Sequence, residues 1–257
     1  MEGSSTLNYS NKYESSLNIS SYTYFRRRGK ETISLKPGMT PLPIVLGYFI
    51  VATVIAFLII WKARPKFSTI DLVYIGIGGA FVATADHVLG DMIFLPNGIY
   101  PLINPPVWFR IITSFIVVAL VRKVGSGMAV FSAYDLISDF IHFGFRGEPL
   151  WLIEDALTYG LFMDVAIFVT KGNLFGILNS DKFKQNLSAI VEGLLLGFAF
   201  SFVHPFFTYG FIAPLIFGFI PNQERVLYLF VTYMVGNALI SPIAGLLALR
   251  VARIIAV

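Results

Sequence analysis

Seven apolar stretches punctuate the chain, each about 18–25 residues long, and their length leaves few folds open. They lie at 43–61, 69–92, 104–121, 126–144, 150–170, 186–204 and 225–249. At about 1.5 Å rise per residue, each helix matches a hydrocarbon core about 30 Å thick. The expected fold is all-α, a polytopic membrane helical bundle. Composition agrees: 56% of the 257 residues are hydrophobic and 13% charged, against about 25% charged in soluble domains. The net charge of +4 comes from basic residues at span ends and in the tail, which argues against nucleic acid as a partner. The absence of cysteine excludes disulfides, thiol catalysis and thiolate metal sites. The phosphate-binding pattern G-x-x-x-x-G-K-[ST] is absent as well.

Three regions follow: a polar tail at 1–40, an extra transmembrane helix at 41–66, and a six-helix membrane domain at 67–257. The tail has no short apolar h-region, so a cleaved signal peptide is not expected. It holds a basic run from Arg26 to Lys30 and two glycosylation sequons, at Asn8 and Asn18, of a kind that arises by chance. Residues 205–224 are apolar but contain Pro205, Pro214 and Pro221. Pro205 is therefore read as a kink or helix end, and the stretch after it as an outer loop or re-entrant segment. Lys62, Arg64, Lys66, Arg122, Lys123, Lys171, Lys182, Lys184, Arg250 and Arg253 fall on one set of connections, whereas the opposite set holds only Arg146 and Arg225. The first set is expected in the cytoplasm, with the C-terminus. With seven spans the N-terminal tail is outside a cell membrane and its basic run is an exception to the rule, which is the favoured reading; otherwise 43–61 does not cross fully.

Ionisable residues interrupt these spans. A charge at the bilayer centre costs roughly 2.5–3.5 kcal/mol on insertion scales, so such a residue normally faces a cavity, a partner or a pathway. Asp86, His87, Asp91, Asp135, Asp139, His142, Glu154, Asp155 and His204 fall mainly in the outer half, with Arg110 as the one base at that depth. The inner half has chiefly Asp164 and Glu192. That asymmetry predicts a net-acidic site open to the outside. Asp135, Asp139 and His142 share one helical face, although a metal role is disfavoured because the three histidines lie on three different helices. Glu154 and Asp155 diverge by about 100°, so at most one is expected to line the site; a favourable helix-dipole position is the plainer account of both. Trp151, Trp108 and Tyr100 suit an interfacial belt, and Tyr134, Phe140 and Phe143 suit packing. Aromatic faces beside carboxylates would also suit an organic cation. Ser68 and Asp71 form a capping-box pattern that gives Asp71 a structural role. Gly76, Gly79, Ala80 and Ala83 make a small-residue stripe for close helix approach, within the chain or with a partner.

Parts of the chain resemble a known family. The run from Val121 through Arg122, Lys123, Gly125 and Gly127 to Asp135 and Asp139 is similar to the second-to-third helix junction of substrate-binding S components of energy-coupling factor (ECF) vitamin transporters, nearest the hydroxymethylpyrimidine/thiamine type. Tyr159–Phe168, with Asp164, looks like that family's fourth helix, and Ile240–Arg250 like its last. The likeness is diffuse, spans roughly 69–257, and leaves the tail and first span as additions. It implies a six-helix S-component-like core plus one extra N-terminal helix, a transmembrane coupling subunit against Gly76, Gly79, Ala80 and Ala83, and ATPase partners that hydrolyse the ATP. The chain itself would be no enzyme and would need no cofactor. It would capture a vitamin or precursor from outside, and the acidic excess favours a cationic or amine-rich one, thiamine-like or hydroxymethylpyrimidine-like. The candidate substrate-binding residues are Asp86, Asp135, Asp139, His142, Trp151, Glu154, Asp155 and His204. Two alternatives stay open: a stand-alone ion- or proton-coupled carrier of a small solute or metal ion, and an intramembrane enzyme, for which no protease or phosphotransferase signature is present.

Overall fold

The computed structural model describes residues 40–96, 99–143, 149–218 and 220–255, with backbone alone at His142 and Phe143. The expectations for the tail, the sequons, Arg146 and the His142 side chain lie outside these residues. All regular structure among the described residues is helical. That is the form in which a chain in hydrocarbon satisfies its backbone within each segment.

Helix α1 spans Leu42–Ala63 and α2 Thr69–Thr84, the latter continuing as a π-helix over Ala85–Gly90. Helices α3 (Pro105–Val121) and α4 (Ser126–Phe143) follow. Then come α5 (Pro149–Asp155), a π-turn at Ala156–Gly160 and α6 (Leu161–Val169), which together make one continuous rod. After a 3₁₀ turn at Leu174–Gly176, α7 (Lys182–Phe202) runs through a π-helix (Val203–Ile212) into α8 (Ala213–Phe217). The long α9 (Gln223–Ile255) closes the chain. Among the described residues, four rods are long and apolar enough to cross a membrane: Leu42–Ala63, Thr69–Gly90, Lys182–Phe217 and Gln223–Ile255. These suit a multi-pass membrane protein. Helices stand at the other three expected positions too; two of those, α4 and the Pro149–Val169 rod, carry most of the internal acids.

Local chemistry sets the ends. Ser68 and Asp71 form the expected capping box at α2. Asn104 accepts from the Val107 amide ahead of Pro105 and Pro106, which need no amide partner at a helix start. The start of α4 is held from another rod: Asp164 accepts the Gly127 and Met128 amides, both at 2.9 Å. Asp164 is thus a structural cap rather than a ligand group.

Of the two expectations at Pro205, a kink or a helix end, the end is excluded. The helix does not end there but continues to Phe217 and stops at Gly218, whose φ of 73° reverses the chain. The wider π turn accommodates a residue that lacks an amide hydrogen and whose ring would crowd a regular helix. Residues 205–217 are therefore helical and continuous with α7, not a loop.

Packing follows small residues. On α7, a Cβ at Gly193 would stand 2.5 Å from the Ser241 carbonyl of α9, and one at Gly197 would strike the Ser241 side chain. Buried Asn237 donates to Ser201 Oγ along the same seam. Gly79 of α2 lies against Val130 and Ala133 of α4, and Ala83 is fully buried. Half of the small-residue stripe is thus covered within the chain, which corrects its assignment as a whole to a partner. Gly76 has open space around it and Ala80 is half-buried. Helix α1 stands at the edge, tied on by the Tyr48 hydroxyl donating to Leu157 O and by Thr40 donating to Phe206 O.

Candidate functional site

Asp86, Glu154 and Asp155 meet around Arg110. Asp86 lies in the π segment that ends α2, where the wider turn follows Thr84. Arg110 lies on the second turn of α3 and reaches it with two nitrogens, Nε at 2.6 Å and Nη2 at 2.5 Å, both on Oδ2. The Tyr134 hydroxyl of α4 donates to the same oxygen at 2.7 Å. The guanidinium also lies over the Tyr134 ring, 4.9 Å from its centroid, and near the Tyr159 ring at 5.5 Å. His87 Nε2 is 3.1 Å from the Tyr134 hydroxyl, with the two rings stacked.

On the other side of Arg110 stand the acids of α5. Asp155 is buried and within electrostatic reach of both Arg110 and Asp86. Glu154 is fully buried, accepts from Thr208 Oγ1 at 2.5 Å, and is in reach of Asp155, Asp135 and Arg110. Both side chains are buried and within electrostatic reach of Arg110. His204 is half-buried, with its ring 5.2 Å from that of Tyr233. It too feels Arg110 and Asp86.

Of the candidate residues, Asp86, Glu154, Asp155 and His204 gather on this centre, with Asp135 on its margin. Asp135, Asp139 and Trp151 are half-buried. Among the described residues no group of three or more His, Asp or Glu side chains is placed to hold a metal ion. Five contributors lie outside the eight candidate residues: Arg110, Tyr134, His87, Tyr159 and Thr208. Arg110 and Tyr134 lie one and two turns into their spans, and that depth was the available signal.

The site has an asymmetry in its hydrogen bonds. Asp86 Oδ2 takes three donors, while Oδ1 is buried and has none among the described residues. Glu154 is alike: Oε1 is taken by Thr208, and Oε2 is buried without a donor. Buried oxygens of this kind are rare because the desolvation of an acceptor goes uncompensated. Four acids against one guanidinium leave the centre net-acidic when all are ionised. Such a centre can accept further N–H or O–H donors and favours positive charge.

Comparison with family models, with characterised proteins and with solved structures gives no match.

Proposed function

We propose that the chain is a membrane receptor for a small cationic or amine-bearing solute, held by the acidic centre around Arg110. The observation that carries this reading is the pair of buried carboxylate oxygens, Asp86 Oδ1 and Glu154 Oε2, that have no donor. A ligand bearing N–H groups would supply both, and its charge would offset the acidic excess. Arg110 and Tyr134 then position Asp86 and take no solute themselves.

Within that reading, the resemblance at Val121–Asp139 and Ile240–Arg250 supports an ECF S component that takes a thiamine- or hydroxymethylpyrimidine-like compound from outside. Gly76 and Ala80, the open half of the stripe, are the residues left to face a coupling subunit. A stand-alone proton-coupled carrier is the second reading. It is favoured by Glu154, a buried carboxyl with one free oxygen beside a second acid, an arrangement able to hold and release a proton. Vesicles containing only this chain separate the two. A receptor binds labelled thiamine without accumulating it, with or without a pH gradient; gradient-driven accumulation would instead establish the carrier.

A further inference from the structure

The opposite end of α3 carries a second charged region that the proposed solute site does not use. Three helices stop there: α1 at Ala63, α3 at Val121 and α6 at Val169. Past each end a basic residue takes the left-handed conformation: Arg64 (φ 46°), Arg122 (φ 52°) and Lys171 (φ 53°). Glycine ordinarily fills such positions, because a Cβ is disfavoured in them. The backbone turns close several of the last carbonyls, with Arg64 N on Ile60 O at 2.8 Å, Arg122 N on Val118 O at 2.9 Å and Gly172 N on Ile167 O at 2.9 Å. Between these ends lies a cleft of about 310 Å³, lined by Arg122, Lys123 and Lys171 with Pro65 and Phe168.

Its charge is only partly answered. Lys123 is held by Asp71 at 2.5 Å, and Lys62 lies over the Phe168 ring at 5.6 Å. Arg122 and Lys171 have no carboxylate partner among the described residues. Next to the cleft, a groove of about 490 Å³ runs between α1, α6 and α7, lined almost wholly by apolar side chains such as Ile55, Val165 and Leu195. The groove reaches Thr170, the residue before Lys171. A basic cleft and an apolar groove thus adjoin at one seam of an edge helix.

We propose that this seam binds an anionic phospholipid, its phosphate on Arg122 and Lys171 and one acyl chain in the groove. A guanidinium fork suits phosphate oxygens, and basic pockets between membrane helices are a recurring headgroup site. The same lipid would hold α1 against α6.

Native mass spectrometry of the full chain, offered equal amounts of phosphatidylglycerol and phosphatidylcholine in detergent, tests this. The ratio of the two adducts is internal to each sample, so partial unfolding does not imitate a loss of selectivity. Wild type should favour phosphatidylglycerol. R122Q/K171Q should lower that preference roughly 10- to 30-fold, as two surface-proximal cations imply. K182Q/K184Q, which removes two exposed lysines outside the cleft, should leave it unchanged. Ala166→Phe, which fills the groove, should lower the yield of both adducts. Equal loss in the two double variants, no loss in Ala166→Phe, or displacement of the lipid by millimolar inorganic phosphate would overturn the proposal.

Discussion

Two ion pairs bracket the same helices and show opposite ways of holding a charge. Asp86–Arg110 joins the end of α2 to the start of α3, and its side chains are 1% and 15% exposed. Asp71–Lys123 joins the start of α2 to the turn after α3, at 12% and 37% exposed. Both have an N–O separation of 2.5 Å, yet they do different work. In the first pair, each partner makes the other tolerable in a medium that solvates neither. The second is partly exposed, so solvent shares the burden, on an aspartate already engaged by a helix cap. The positions along α3 make the point spatially. Arg110 and Arg122 are about 18 Å apart along the axis at 1.5 Å per residue; one is enclosed by acids and aromatic rings, the other faces an open cleft.

Substitutions can break that contrast. Arg110→Leu should have the largest effect, about 3–5 kcal/mol of lost stability in mixed-micelle unfolding, because Asp86 is left buried and unpaired. Replacing both partners, as in Asp86→Leu with Arg110→Met, should recover most of that stability while abolishing solute binding. Recovery of both would show that the pair only supports the fold. Asp164→Ala sharpens the comparison, since this buried acid is held by backbone amides, including those of Gly127 and Met128, and by no base among the described residues. Its loss should cost about 1.5–3 kcal/mol, the worth of hydrogen bonds to a charged group, measured in the same unfolding titration. Lys123→Gln should cost least, about 0.2–1 kcal/mol, and its effect should shrink further in high salt. A larger cost than Asp164→Ala would mean that the rim pair is the structural one.

The sequence carried the helices well and the partnerships poorly. Helix positions followed from apolar length, and the α2 start from Ser68 and Asp71, because both signals are local. Pairings between rods are not local. Asp86 with Arg110 and Glu154 with Thr208 join residues 24 and 54 positions apart, and no periodicity reports which faces meet. At Pro205 the choice between kink and helix end stays open in the sequence, because proline commonly ends a regular helix and a π-helix has no residue signature to warn of it. The small-residue rule identified α2 but passed over Gly193 and Gly197, the same i, i+4 spacing on α7, where the backbones come close to α9. Depth along the spans could place Arg110 with the acids; only the fold shows that it pairs with Asp86.

The central claim is that the buried acidic centre, and not the rim, holds a positively charged or amine-bearing solute. Mass spectrometry of small molecules that co-purify with wild type, Glu154→Gln and Lys123→Gln tests it most directly. The account predicts an amine-bearing or cationic compound on wild type, retained on Lys123→Gln and lost or reduced roughly 10- to 150-fold in occupancy-weighted affinity on Glu154→Gln. An anionic compound, or one retained equally by Glu154→Gln and wild type, would contradict it.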